Sequence, residues 1–212
     1  MSQNIHSLRP TRQDAIPNVI FTLLIVNGLV FALQQFAPGL MLKLFALWPI
    51  QGPIQAPPFM PWQIVTYGFM HSQTTLMHII FNMLMLWMFG RELEQLMGPR
   101  RFLTYYMTCV VGAGLVQLLV GVYEGGGVPT VGASGGVFGI LLAYGMAFPN
   151  RTIMLIFPPI PMKAKYFVIM LGLFELYIGV SGVRNGIANF AHLGGMLFGF
   201  VLIRYWGRRR VR

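Results

Sequence analysis

Six apolar stretches, each close to the length of a membrane-crossing helix, dominate this chain and leave it few other ways to fold. They lie near residues 17–37, 75–90, 102–122, 134–149, 166–183 and 187–206. A helix needs roughly 20 apolar residues to cross the hydrocarbon core of a bilayer. The stretches near 75–90 and 134–149 are shorter and open on polar or glycine-rich residues. Their helices are expected to begin below the membrane surface, where exposed backbone must face protein or a water-filled cavity. Only 9% of the 212 residues are charged. That cannot coat a water-soluble domain, where about a quarter is usual. The first stretch is too long for the apolar part of a signal peptide and lacks a small-residue cleavage site, so it is kept as a helix. Cys109 is the lone cysteine, which excludes a disulfide framework and a multi-cysteine metal centre. The acids are Asp14, Glu92, Glu94, Glu124 and Glu175, too few and too scattered for a mechanism built on paired carboxylates.

Charge sets the orientation. With the amino terminus inside, thirteen Lys and Arg residues fall on the inner side (Arg9, Arg12, Arg91, Arg100, Arg101, Arg151, Lys163, Lys165, Arg204, Arg208, Arg209, Arg210 and Arg212) and two, Lys43 and Arg184, outside. Basic residues stay in the cytoplasm, so both termini are expected there. The net charge of +10 then needs no nucleic acid to explain it. The basic end would lie against anionic lipid headgroups. The chain divides into an amino-terminal tail (1–16), a six-helix core (17–206) and a basic carboxy-terminal tail (207–212).

The outer connection, residues 38–73, carries six prolines (Pro38, Pro49, Pro53, Pro57, Pro58 and Pro61) among Leu, Phe, Trp and Met. Proline prevents a straight spanning helix. A folded insertion in the interface is expected in place of a plain loop, with Trp48 and Trp62 at headgroup depth.

Polar groups inside a membrane are costly, so their positions are informative. The second stretch opens on His78 and Asn82. The fourth opens on Gly132-Ala133-Ser134-Gly135-Gly136, followed by Gly139. The sixth opens on Ala191-His192-Leu193-Gly194-Gly195, followed by Gly199. All three stretches run from outside to inside, so the clusters reach a similar depth in the outer half of the bilayer and can meet. Each has a plainer explanation alone: a packing histidine, close helix contact through small-x3-small spacing, or a serine bonded back to its own helix. Together they fit nucleophilic acyl transfer. His192 would serve as the base for Ser134. His78 and Asn82, one helical turn apart, and the Ser134 N–H would face a developing oxyanion. Gly195 and Gly135 would let the fourth and sixth helices close on each other. No carboxylate member of a triad is apparent. Glu175, midway along the fifth stretch, is taken as a buried, hydrogen-bonded or protonated packing residue, and a Ser–His dyad is expected.

On these residues the chain resembles the rhomboid family of intramembrane serine proteases over about residues 17–206. The family's Gly-x-Ser-Gly appears as Gly132 to Gly135, its Ala-His-x-x-Gly as Ala191 to Gly195, and its His-x-x-x-Asn as His78 to Asn82. Glu94 and Gly98 resemble the turn that follows that helix. The resemblance implies an all-α six-helix rhomboid-like bundle with a membrane-embedded first external loop. It also implies Ser134 as nucleophile, His192 as base, and His78 and Asn82 as oxyanion donors. Two positions depart from the pattern. Trp62 is followed by Gln63 where many members have arginine, and Phe138 stands where many have a tyrosine that packs on the imidazole.

The expected activity is therefore serine-type endopeptidase cleavage in or near the transmembrane segments of other membrane proteins. No cofactor, metal or nucleic acid is expected. No Arg/Ser-rich mitochondrial-type presequence is visible, so a prokaryotic plasma membrane is the expected location. One alternative is a catalytically idle rhomboid-like scaffold that binds membrane clients. A small channel lined by Ser, His and Asn is another, but it would need polar residues along a whole path. A zinc protease would need His-Glu-x-x-His, which is absent.

Overall fold

The computed structural model describes residues 18–209 apart from 53, 124, 127, 155–158 and 182–187. Of the residues invoked above, Arg9, Arg12, Asp14, Pro53, Glu124, Arg184, Arg210 and Arg212 lie outside the described residues, as do the side chains of Arg208 and Arg209. The fold is almost entirely helical: α1 (Asn18–Phe36), α2 (Pro38–Phe45), α3 (Gln63–Thr66), α4 (Leu76–Met97), α5 (Pro99–Tyr123), α6 (Ser134–Ala147), α7 (Ala164–Val180) and α8 (Asn189–Arg209). A short antiparallel hairpin, β1 (Thr152–Met154) with β2 (Pro161–Lys163), leads into α7.

Six of these helices coincide with the six apolar stretches. Stretches of α1 and α5 have mean hydropathy 2.0 and 1.7, enough to cross a membrane alone. Large apolar side chains face outward along the helices: Phe21, Ile25, Leu29 and Leu33 on α1, and Ile169, Leu173, Phe174 and Tyr177 on α7. Apolar area on this scale is not left to water, and its natural cover is lipid. The chain is an all-α membrane protein.

The buried centre is made by α5, α6 and α8. Tyr105 donates from Oη to Gly139 O on α6 at 2.7 Å, and Phe102, Tyr105, Tyr106, Cys109 and Ile140 are fully buried around it. Within apolar surroundings such a bond is stronger than in water.

The ends of the elements are fastened by side chains. Glu94, buried on α4, accepts from the backbone N–H of Val19 at 3.0 Å and of Ile20 at 2.8 Å. These N–H groups belong to the first turn of α1, have no carbonyl partner in their own helix, and sit at the positive end of its dipole. Replacing Glu94 with Ala should cost about 2 kcal/mol of stability, since both bonds go to a carboxylate. Thermal unfolding in detergent checks this, and an unchanged midpoint would contradict it. α4 stops where Gly98 takes φ +80°.

The connection between α1 and α4 is a folded insertion built on α2 and α3. The last four carbonyls of α2 each find a side-chain donor: Leu42 O from Trp48 Nε1 (3.0 Å), Lys43 O from Gln63 Nε2 (3.4 Å), Leu44 O from Trp62 Nε1 (2.8 Å), and Phe45 O from Thr66 Oγ1 (2.9 Å). Helix carbonyls without such partners would be costly in an apolar setting. Gln63 is fully buried, and its Oε1 also accepts from Met60 N–H at 3.1 Å and Trp48 N–H at 3.3 Å. A neutral amide donates and accepts at once, which suits this position. The insertion is pinned to the segment before α6 by paired backbone bonds between Leu47 and Thr130 and by Gly132 N–H to Tyr67 O at 3.0 Å.

Candidate active site

Ser134 is the first residue of α6, and His192 stands one turn into α8. The helices approach so closely here that a Cβ on Gly195 would run into the backbone carbonyl of Gly135. Glycine at 195 permits this contact. As a result His192 Nε2 lies 2.8 Å from Ser134 Oγ, a hydrogen bond between residues 58 apart in sequence. Phe138, one turn along α6 from Ser134, stacks on the imidazole with centroids 4.1 Å apart and planes 9° from parallel. The ring is therefore held on one face by Phe138 and at one edge by Ser134. His192 is 8% exposed while Ser134 is half-buried, so the serine is the more accessible of the two residues.

His78 also lies close to this point, near Gly132. Its Nδ1 accepts from the backbone N–H of Ser72 at 3.2 Å. A neutral imidazole that accepts at one nitrogen carries its proton on the other, so Nε2 is a donor. That nitrogen faces Gly132: a Cβ there would stand 2.9 Å from His78 Nε2 and 3.4 Å from Ser134 Oγ. Gly132 also has φ +138°, which L side chains rarely adopt. Two physical demands thus select glycine, and its bare Cα leaves space between a donor and the hydroxyl. As the first residue of α6, Ser134 also has an N–H with no carbonyl partner in the helix.

Asn82 is buried on α4 and donates from Nδ2 to His78 O at 2.7 Å. An amide NH2 has two hydrogens, so one donor remains beyond that bond. His71 is packed edge-on against His78, with centroids 5.3 Å apart. Burial first, and the neighbouring His78 second, push the His71 imidazole down to about 4, so it is neutral at neutral pH. Its backbone is clamped by Gln34, which donates to His71 O at 2.8 Å and accepts from His71 N–H at 2.9 Å.

Glu175, expected from sequence to be a buried, hydrogen-bonded or protonated packing residue, is buried, and its Oε2 stands 3.1 Å from His192 Nδ1. Oε2 also accepts from Asn189 Nδ2 at 2.6 Å. The only sequence sign was a carboxylate in an apolar helix, which demands a partner. No motif marks Asn189 in the sequence, although it lies three residues before His192 and so on the same face of α8. Among the described residues, no group of three His, Cys, Asp or Glu side chains is arranged to hold a metal ion.

The site thus gathers Ser134, His192, His78, Gly132, Gly135, Phe138 and Gly195 in one place, with Asn82 joined through His78. The arrangement can deprotonate a hydroxyl and offer donors to an oxygen beside it.

The Rhomboid domain family model matches residues 58–209. Over 192 residues the chain is 29% identical to Rhomboid protein 1, mitochondrial, of Saccharomyces cerevisiae, covering 86% of this chain and 51% of that protein. It is 28% identical over 188 residues to Rhomboid protease GlpG of Photorhabdus laumondii, covering 89% of this chain and 61% of that protein. Against Rhomboid protease GluP of Bacillus subtilis it is 29% identical over 141 residues, 66% of this chain and 25% of the relative. The chain therefore spans about half the length of the curated relatives it matches. A family match across most of the residues, together with the helical membrane fold, places the chain in the rhomboid family.

Proposed function

We propose that this protein is an intramembrane serine endopeptidase that cleaves other membrane proteins in or near their transmembrane segments. The observation that carries the proposal is the 2.8 Å contact between Ser134 Oγ and His192 Nε2. Two of the relatives reported above are named rhomboid proteases, which supports the same chemistry.

Ser134 attacks the scissile carbonyl while His192 Nε2 takes its proton. His192 then returns the proton to the leaving amine, and water hydrolyses the acyl-enzyme by the same route reversed. The negative charge on the former carbonyl oxygen is met by His78 Nε2–H, the Ser134 N–H and the free hydrogen of the Asn82 amide. Phe138 keeps the imidazole in plane without offering a hydroxyl.

Six helices, α1 and α4 to α8, span the bilayer with both termini cytoplasmic, and the α2–α3 insertion lies in the outer interface over the site. Basic residues on the inner side, among them Arg91 stacked on Trp87 and Lys165 near Tyr166, contact lipid headgroups. The location is a prokaryotic plasma membrane. The substrates are single-span or multi-span proteins whose helix unwinds locally to present a peptide bond.

Purified protein should cut members of a panel of single-span substrates at one site in or near the apolar segment, read by product mass spectrometry. No cleavage across the panel would contradict the proposal. Asn82→Ala should lower kcat roughly 10- to 1000-fold with the unfolding midpoint retained. A loss confined to protein yield would assign Asn82 to packing.

A further inference from the structure

We infer that Glu175 is a positioning residue for His192, so that the base is held between Ser134 at Nε2 and Glu175 at Nδ1. The inference rests on the proposed Ser134–His192 chemistry and adds a group that the dyad lacks. Glu175 is 6% exposed and sits on α7, a helix whose other large side chains mostly face lipid. A buried carboxylate is expensive unless polar groups compensate it. Here the compensation is directed. Asn189 and His192, three residues apart on α8, both turn to the same oxygen, at 2.6 Å and 3.1 Å. Packing alone would be served better by leucine or methionine of similar size.

The geometry divides the labour within the imidazole. Nε2 faces Ser134 Oγ, and Nδ1 faces Glu175 Oε2. To accept the serine proton, Nε2 must carry the lone pair, so Nδ1 must carry the hydrogen. A carboxylate beside Nδ1 favours that tautomer and steadies the imidazolium that forms during attack. Nδ1 is buried and has no aligned hydrogen bond in the resting arrangement; the carboxylate stands at ion-pair distance but off the N–H axis. A small rotation of either side chain completes the bond as the ring becomes charged. Protons balance simply: the serine proton moves to Nε2, the Nδ1 proton stays, Glu175 remains a carboxylate, and the Nε2 proton leaves with the departing amine. Asn189 fixes the carboxylate so that this costs little rearrangement.

The test uses the full chain in detergent with a cleavable single-span substrate and compares wild type, Ser134→Ala, Glu175→Gln and Glu175→Met. Glutamine keeps the shape and can still accept from Nδ1–H but loses the charge; methionine loses both. The expected result is a graded fall in kcat, about 10-fold for Glu175→Gln and about 100-fold or more for Glu175→Met, with KM within about twofold. Nitrogen-15 NMR of His192 in wild type should report the hydrogen on Nδ1 and a bare Nε2. Glu175→Met should shift the ring toward the other tautomer, which a purely structural role would not do. Wild-type kcat in both folded variants, or a wild-type ring with its hydrogen on Nε2, would overturn the inference. Full cleavage by Ser134→Ala would instead overturn the proposed function, so the two failures are separable.

Discussion

Ser134→Ala and His192→Ala should each reduce substrate cleavage by about 10⁴-fold or more while leaving the fold intact. The two side chains act as one unit, and removing either member of such a unit costs nearly as much as removing both. Neither substitution disturbs the helix contact that brings the residues together, because that contact is made by glycine backbone. Ser134 opens α6 without capping it through its side chain, so alanine there is not expected to unwind the helix. The double variant Ser134→Ala/His192→Ala should be no slower than either single one. Cleavage rates of purified variants with matched unfolding midpoints check this. Multiplicative losses in the double variant would mean that the two groups act independently and not through the 2.8 Å bond.

Among the described glycines, Gly195→Ala should be the most damaging substitution by alanine. The added Cβ would strike the Gly135 carbonyl, which belongs to the backbone of a buried helix and has no rotamer to escape into. Overpacking of this kind typically costs 1–3 kcal/mol, and the absence of any flexible partner points to about 3 kcal/mol or more. Where the protein still folds, α8 must withdraw from α6 and take His192 with it. A displacement of about 1 Å is enough to lose roughly 100-fold in rate. Stability and activity should therefore fall together, unlike Ser134→Ala, where only activity falls. Gly172→Ala is the control, since its Cβ would meet nothing nearer than the mobile end of Met196 at 3.4 Å. Wild-type stability and turnover in Gly195→Ala would refute the close-contact account.

The helical skeleton was legible because apolar runs of bilayer length have few other uses. Their polar ends were harder to place. The second stretch was expected to finish near residue 90, but α4 continues to Met97, because Arg91, Glu92 and Glu94 read as a polar end while the backbone keeps its helical bonding up to Gly98. Hydropathy reports where side chains are apolar, not where carbonyls stop finding partners. The hairpin of β1 and β2 carried too short and mixed a pattern to be expected.

Ser134, His192 and His78 could be picked out because each is a polar group that an apolar helix start does not otherwise require. Glu175 carried the same signal but lacked a motif to attach it to, and its partner lies on another helix. Whether its carboxylate turns toward the sixth stretch or away depends on the rotation of α7, which no local spacing fixes. Gln63 is similar. Its departure from the family pattern was visible in sequence, whereas its four hydrogen bonds join segments up to 20 residues apart.

The most direct measurement is the location of a covalent adduct. The protein is treated with a fluorophosphonate in detergent and mapped by peptide mass spectrometry, alongside His192→Ala. The expected result is one phosphonylated residue, Ser134, in the wild type, with labelling lost in His192→Ala. An adduct on any other residue, or equal labelling of Ser134 when His192 is removed, would contradict the claim that this imidazole activates this hydroxyl.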